Sequence, residues 1–170
     1  MGMRHVVVDT VLGEVTIVAE GPAVTGLYFA EHVRRPAAEA FGARVPAAQD
    51  ELLAEAAAQL VDYLAGRRRE FELPVNAVGD DFQHSVWKLV AEIPYGQTTT
   101  YGRIAEQLGD RSLAQRVGQA VGANPLCVIV PCHRVLGAGG SLTGYAGGLP
   151  RKRALLELEE PVPAVAGRLF

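Results

Sequence analysis

The chain has 170 residues, 49% hydrophobic and 21% charged, with a formal net charge of −3. That length holds one domain or two small ones, and the composition is that of an ordinary soluble globular protein. No apolar run is long enough to span a membrane, the first residues form no hydrophobic signal core, and two cysteines five residues apart neither frame a disulfide scaffold nor match common zinc spacings, so a cytoplasmic protein without a metal is expected.

Taken in order, Val6–Val8 and Val15–Val18 are β-branched runs joined by Thr10–Glu14, which predicts a hairpin. Val24–Phe29 follows the Gly21-Pro22 turn as a third strand, and Gly42–Pro46 reads as loop. From Gln49 to Ala65 the apolar residues Leu53, Ala56, Ala57, Leu60 and Leu64 fall at helical spacing, with Gly66 just past the end. Arg67-Arg68-Arg69 reads as a cation cluster at that helix end rather than a binding site. No catalytic constellation stands out in this half, and His5, His32 and His84 have no cysteine partners for a metal.

Pro, Asn, Gly and Asp cluster between Leu73 and Asp80, which places a boundary between a domain over 1–78 and another over 79–170. Asp81 reads as the N-cap of a helix bearing Val86, Leu89, Val90 and Ile93 and stopped by Pro94. A threonine of Thr98–Thr100 caps a short helix, Tyr101–Leu108. Gly109-Asp110-Arg111 turns the chain, and Ser112 caps a second helix, Leu113–Val121. This is a helix-turn-helix pattern. The second helix is rich in small residues: Ala114, Gly118, Ala120, Gly122 and Ala123. Glycine inside a helix costs about 1 kcal/mol against alanine, so something approaches closely there: a neighbouring helix, or DNA backbone.

Asn124-Pro125 ends that helix. The short apolar run Val128-Ile129-Val130 reads as a buried strand or extended segment, stopped by Pro131 ahead of Cys132-His133-Arg134-Val135. Glycine-rich turns over 137–148 lead to a last helix, Arg151–Glu159, and the tail after Pro161 reads as loose.

Charge is unevenly placed. Residues 1–79 carry a net −4 and residues 80–170 a net +1, while Arg103 to Arg153 holds seven cations against two acids. That is either a solvated surface or the basic field a polyanionic partner needs.

Cys132 is the candidate nucleophile. A free thiol has a pKa near ~8.5, so a base is needed, and the base needs an orienting acceptor. His133 is the candidate base. In an extended segment adjacent side chains point oppositely, so a bridging water is expected between Cys132 and His133. The nearest carboxylates in sequence are Glu157, Glu159 and Glu160 on the last helix.

Pro131-Cys132-His133-Arg134-Val135, with Asn124-Pro125 before it and Gly144-Tyr145-Ala146-Gly147-Gly148 after it, closely resembles the O6-alkylguanine-DNA alkyltransferases. Ile93-Pro94-Tyr95-Gly96, Thr100-Tyr101-Gly102 and Arg151-Lys152-Arg153-Ala154-Leu155-Leu156 extend the match over about residues 82–160, and Thr10–Gly13 fits more loosely. The resemblance implies an N-terminal ribonuclease H-like α/β domain supporting a C-terminal winged-helix-like, helix-turn-helix domain. It implies a monomer that meets duplex DNA through the minor groove, flips out O6-alkylguanine, and takes the alkyl group irreversibly on Cys132, once per molecule and with no cofactor. It allows O4-alkylthymine as a second substrate and cooperation between copies along DNA.

The resemblance also implies residue roles. His133 acts through water, Glu159 orients it, and Asn124 holds the turn. Tyr101 crowds the phosphate, helps rotate the nucleotide and assists proton transfer to the leaving base. Cys127, Val135, Tyr145, Ala146 and Gly147 line the base pocket. Tyr101, Gly102, Ala114, Gln115, Arg116, Gly118 and Ala138 meet DNA. Family members usually carry an arginine where Gln115 stands here, with Arg116 one residue later, a rotation of about 100° around the helix. In the family that arginine fills the gap left by the flipped base; here either an adjusted helix start lets Arg116 serve or, as expected, Gln115 fills the gap less well. A DNA-binding module with an inert Cys132 and a thiol hydrolase are the rival readings.

Overall fold

The computed structural model describes residues 2–33 and 35–160. The loose tail expected after Pro161 lies outside the described residues.

β1 (Met3–Thr10), β2 (Gly13–Glu20) and β3 (Ala23–Phe29) form the antiparallel meander that their β-branched runs predict. Val15 to Ala19 of β2 are buried on both faces, so this strand reads as a continuous apolar run rather than an alternating one. The expected loop at Gly42–Pro46 is in part a strand. β4 (Ala43–Arg44) pairs parallel to β1, giving the order β3-β2-β1-β4. Gly42 makes this possible, because a Cβ there would collide with the Met3 carbonyl.

α1 (Glu51–Leu64) packs on the sheet through Leu53, Ala56 and Leu60, with Asp50 accepting from the Leu53 amide as its cap. The chain leaves along the start of β3, where Pro74 and Asn76 bracket Val24 with two backbone hydrogen bonds. α2 (Asp81–Ala91) is capped by Asp80, one residue earlier than expected. The Asp80 carboxylate accepts from the Gln83 amide while the Gln83 side chain accepts from the Asp80 amide, a reciprocal pair that Asp81 could not form from inside the helix.

β5 (Thr99–Thr100) precedes α3 (Tyr101–Gln107), which Thr100 caps. Ser112 is not a cap. Asp110 accepts from the Ser112 amide and starts a 3-10 turn, Arg111–Leu113, that runs into α4 (Ala114–Gly122). α3 and α4 form the helix-turn-helix, and the Trp87 indole of α2 donates to the Ala120 carbonyl of α4 at 2.8 Å.

Residues 126–130 are not a strand. They make a tight turn closed by Val130 N–H to Leu126 C=O at 2.8 Å, with Val128 at φ 73. A β-branched residue avoids that region, at a cost of about 1–3 kcal/mol. Asn124 holds the turn: its Oδ1 accepts from the Leu126 amide at 2.9 Å and its Nδ2 donates to the Val130 carbonyl at 3.0 Å. Strand propensity in Val-Ile-Val is overridden by this clamp and by the prolines at 125 and 131. Asn124→Ala leaves both groups unpaired, so a loss of roughly 2–4 kcal/mol in urea unfolding is expected, with a slower Cys132. Unchanged stability would exclude the clamp.

After the 3-10 turn Cys132–Arg134, β6 (Val135–Leu136) pairs parallel with β5, and α5 (Leu149–Glu159) closes the chain. The two halves share one core, from Val6 and Leu60 through Trp87 and Val117 to Leu155. Leu27 N–H to Pro125 C=O and Val33 N–H to Ala146 C=O, at 2.8 and 2.7 Å, join them beside the Cys132 segment.

Candidate active site

Cys132 lies on the wall of a cavity of about 260 Å³ whose other walls are Val33, Tyr101, Gly118, Val121, Gly122, Gly144, Tyr145 and Ala146. The expected residues Tyr101, Gly118, Tyr145 and Ala146 are thus brought to the thiol. Cys127 and Val135 are not on the wall; both are wholly buried, Cys127 behind Cys132. Gly147 packs against the Phe29 ring, so close that a Cβ would strike it. A larger cavity of about 580 Å³, lined by Arg69, Tyr95, Ile129 and Arg134 among others, does not include Cys132.

The candidate pair Cys132 and His133 is better ordered than the sequence shows. The 3-10 turn buries the His133 ring and aims Nε2 at Glu159 Oε2, 2.7 Å away. Of the three candidate acids, Glu159 is therefore the partner, being the one that α5 turns inward. Arg134 donates to the same carboxylate through Nε at 2.8 Å and Nη2 at 3.0 Å, and the Tyr63 hydroxyl of α1 donates as well. Burial pushes Glu159 up to about 7, but four donors converge on it, and that geometry selects the carboxylate. Its acceptance from Nε2–H fixes the tautomer. Nδ1 is left with its lone pair and no partner among the described residues, poised to take a proton.

Burial, with Arg134 and Lys152 nearby, lowers His133 to about 3, and burial with Arg35 and Arg151 lowers His32 to about 4. Both are neutral when folded at pH 7, yet an unfolded histidine protonates near ~6.5. A depressed folded pKa means that stability is full above ~6.5 and is lost as pH falls towards the folded values. By pH 5 the loss is at most about 2 kcal/mol for His133, and less for His32, whose share solvent screening trims. Urea midpoints at pH 7 and pH 5 test this, with His32→Gln expected to flatten the difference; equal midpoints would count against it.

Lys152 is wholly buried and donates to three carbonyls: Val135 at 2.7 Å, Thr143 at 2.7 Å and Gly144 at 3.0 Å. It ties the cavity strap 143–146 to the segment after the thiol. Together with a hydrogen bond from Cys127, the largest influence, and one from Asn124, its charge holds the Cys132 thiol below its ordinary value against burial. The Tyr145 hydroxyl is buried with no partner among the described residues, and burial raises its pKa.

The basic field is weaker than a count of cations. Arg134 and Lys152 are spent internally, Arg111 pairs with Glu106, and Arg151 donates to the Leu12 and Gly147 carbonyls. Arg103, Arg116 and Arg153 remain exposed. The Arg116 guanidinium lies over the Phe82 ring, 4.1 Å from its centroid. Gln115 instead lines an open groove with Thr100, Tyr101, Gly102, Ala114, Gly118 and Ala138. Ala120 is buried beside Trp87 of α2, but the two glycines of α4 are not demanded by a neighbouring helix. Among the described residues, a Cβ at Gly122 would meet nothing within 4 Å, and one at Gly118 only the Tyr101 ring, at 3.8 Å.

Residues 3–77 match the family described as 6-O-methylguanine DNA methyltransferase, ribonuclease-like domain, and residues 81–161 match its DNA binding domain. The chain belongs to the 6-O-methylguanine DNA methyltransferase family. A methylated-DNA–protein-cysteine methyltransferase of Mycobacterium bovis is 44% identical over 90% of each chain, and an inducible one of Bacillus subtilis is 47% identical over 65% of this chain and 62% of that one. The structure of Mycobacterium tuberculosis OGT in complex with DNA superposes with a TM-score of 0.82, at 42% identity over 92% of each chain. The ribonuclease-like and helix-turn-helix architecture expected from the resemblance is therefore that of this methyltransferase family.

The sequence missed four contributors. Tyr63 and Lys152 join the site through contacts that no local pattern reveals, Arg134 stood in the motif and the charge count without a role, and His32 sits behind Cys127. Among the described residues, no three His, Cys, Asp or Glu side chains are placed to hold a metal, and no helix is long and apolar enough to cross a membrane.

Proposed function

We propose that this methyltransferase repairs duplex DNA by moving the alkyl group of O6-alkylguanine onto Cys132, once per molecule and without a cofactor. Cys132 on the wall of a cavity, backed by His133 and Glu159, carries this reading. The target oxygen lies on a base edge inside the duplex, so the nucleotide must leave the stack, which costs a few kcal/mol. His133 Nδ1 takes the thiol proton through a water while the Glu159 carboxylate stabilises the imidazolium. The sulfur attacks the alkyl carbon, the S–C bond forms and the C–O bond to the base breaks. The Tyr101 hydroxyl, which donates to the Thr143 carbonyl at 3.4 Å, assists proton transfer to the leaving base. A thioether is a poor leaving group, so the alkyl group stays.

Gly118 and Gly122 leave α4 open for close approach of the minor groove, where small side chains are needed. Gln115 stands where it can occupy the space of the flipped base, whereas Arg116 is turned to Phe82. The protein acts as a cytoplasmic monomer on DNA. The domain boundary near residue 79 separates the alkyl-acceptor half from its support, although Tyr63 and His32 cross it.

Opposite charges at Gln115 test this placement. Gln115 is exposed in the first turn of α4, where glutamate favours the helix and arginine does not. Gln115→Glu is expected to slow transfer from an O6-methylguanine duplex on the order of tenfold by repelling phosphates, Gln115→Arg to speed it, and neither to alter transfer from the free base O6-benzylguanine. Equal effects on duplex and free base would overturn it.

A further inference from the structure

The two thiols of the chain are both free and both buried, and their Sγ atoms lie 3.8 Å apart. The tight turn 126–130 folds Cys127 back behind Cys132 rather than leaving it along an extended segment. Alkyl transfer as derived above uses only one of them, since the proton leaves through His133. Cys127 Sγ has a second neighbour, His32 Nε2, at 3.8 Å. His32 Nδ1 accepts from the Phe29 amide at 3.2 Å, so in the neutral ring the proton sits on Nε2 and points at Cys127.

We propose that Cys127 is a resolving thiol: when a hydroperoxide oxidises Cys132, Cys127 captures it as a Cys127–Cys132 disulfide, which thiol reductants return to the active dithiol. The protective consequence rests on Cys132 being the alkyl acceptor; the disulfide itself does not. In the first step Cys132 sulfur attacks a peroxide oxygen. An S–O bond forms, the O–O bond breaks, and the thiol proton leaves with the departing oxygen, giving a sulfenic acid and, from hydrogen peroxide, water. In the second step Cys127 sulfur attacks Cys132 sulfur. The S–S bond forms, the S–O bond breaks, and the Cys127 proton leaves with the hydroxyl as water. The two thiols lose two electrons and the peroxide gains them.

The placement suits each role. Cys132 opens to the cavity, which a molecule as small as peroxide enters, and its lowered pKa favours oxidation. Cys127 is sealed from solvent and its pKa is held well above the ordinary value, chiefly by its hydrogen bond to Cys132, so it reacts after its neighbour rather than first. Bond formation needs the sulfurs to close by about 1.8 Å, shared between two side-chain rotations. Without a resolving thiol, sulfenic acid passes on to the irreversible sulfinic and sulfonic acids.

The test uses the full chain, hydrogen peroxide at stoichiometric amounts, blocking with iodoacetamide, and trypsin. Both cysteines fall in one tryptic peptide, Val117–Arg134. In the wild type this peptide is expected to lose two hydrogens and take no iodoacetamide, while the capacity to accept a methyl group falls in proportion and returns with dithiothreitol. In Cys127→Ser the peptide gains two or three oxygens at Cys132, and dithiothreitol restores nothing relative to the same variant untreated. The proposal is overturned if the wild-type peptide carries oxygens on Cys132 while Cys127 takes the label, or if both thiols take the label. The peptide readout needs no DNA, so failure of methyl transfer and failure of the disulfide are read separately.

Discussion

Glu159→Gln is expected to slow transfer to Cys132 by roughly 10²- to 10⁴-fold at neutral pH. The glutamine amide keeps the shape and can still accept from His133 Nε2–H, so the tautomer survives. It carries no charge, however, and the imidazolium that forms when His133 takes the thiol proton loses its stabilising partner. The same change strands Arg134. Its buried guanidinium loses its anionic partner, though the Ile93 carbonyl at 2.7 Å and the Tyr63 hydroxyl at 3.2 Å remain. Breaking a buried pair costs about 3–5 kcal/mol, so the variant is also less stable. A single-turnover pH profile separates the two effects. With the base disabled, the rate should climb with pH as hydroxide takes the thiol proton instead, whereas the wild type, in which His133 takes it internally, stays nearly flat. A variant that is slow by a constant factor at every pH would reduce Glu159 to a structural role.

Lys152→Met is the second large effect. Methionine matches the length of lysine but donates nothing, so the carbonyls of Val135, Thr143 and Gly144 lose their shared partner. Each orphaned carbonyl costs about 1–3 kcal/mol, offset in part because the lysine charge no longer has to be desolvated. Burial lowers Lys152 to about 8, so it is largely charged at pH 7 and its removal also withdraws a cation from the thiolate. Transfer is expected to fall on the order of 10- to 100-fold, with faster amide hydrogen exchange confined to 143–146, the strap that carries Tyr145. Loss of protection throughout the chain would instead make Lys152 a general stability residue.

What the sequence revealed and what it concealed divide by the range of the interactions. The hairpin over Met3–Glu20 and the helices around Leu60, Val90 and Val117 were legible because a two-residue or 3.6-residue period is a local signal. Caps were legible only to within a residue or two. Asp80 and Asp110 win over Asp81 and Ser112 because a side chain must sit just outside a turn to accept its amides. Val128-Ile129-Val130 misled, since β propensity describes a half-buried pleated surface, and here Asn124 from outside the run bends it into a turn. Cys132 and His133 were visible as neighbours and as the proposed nucleophile and base, and Glu159 through the family resemblance. Tyr63 reaches Glu159 from 96 residues away, and Lys152 could be read only as one more surface cation. Interactions of that range leave no periodic trace, which is why half of the machinery around Cys132 appears only in three dimensions.

Intact mass and peptide mapping after mixing the protein with a duplex containing O6-methylguanine decide whether Cys132 is a single-use alkyl acceptor. The protein is expected to gain one methyl group, on Cys132 in the peptide Val117–Arg134, with uptake stopping at one equivalent however much duplex is added. A protein that binds the duplex and leaves Cys132 unmodified, or that goes on consuming methylated duplex beyond one equivalent, would contradict that role.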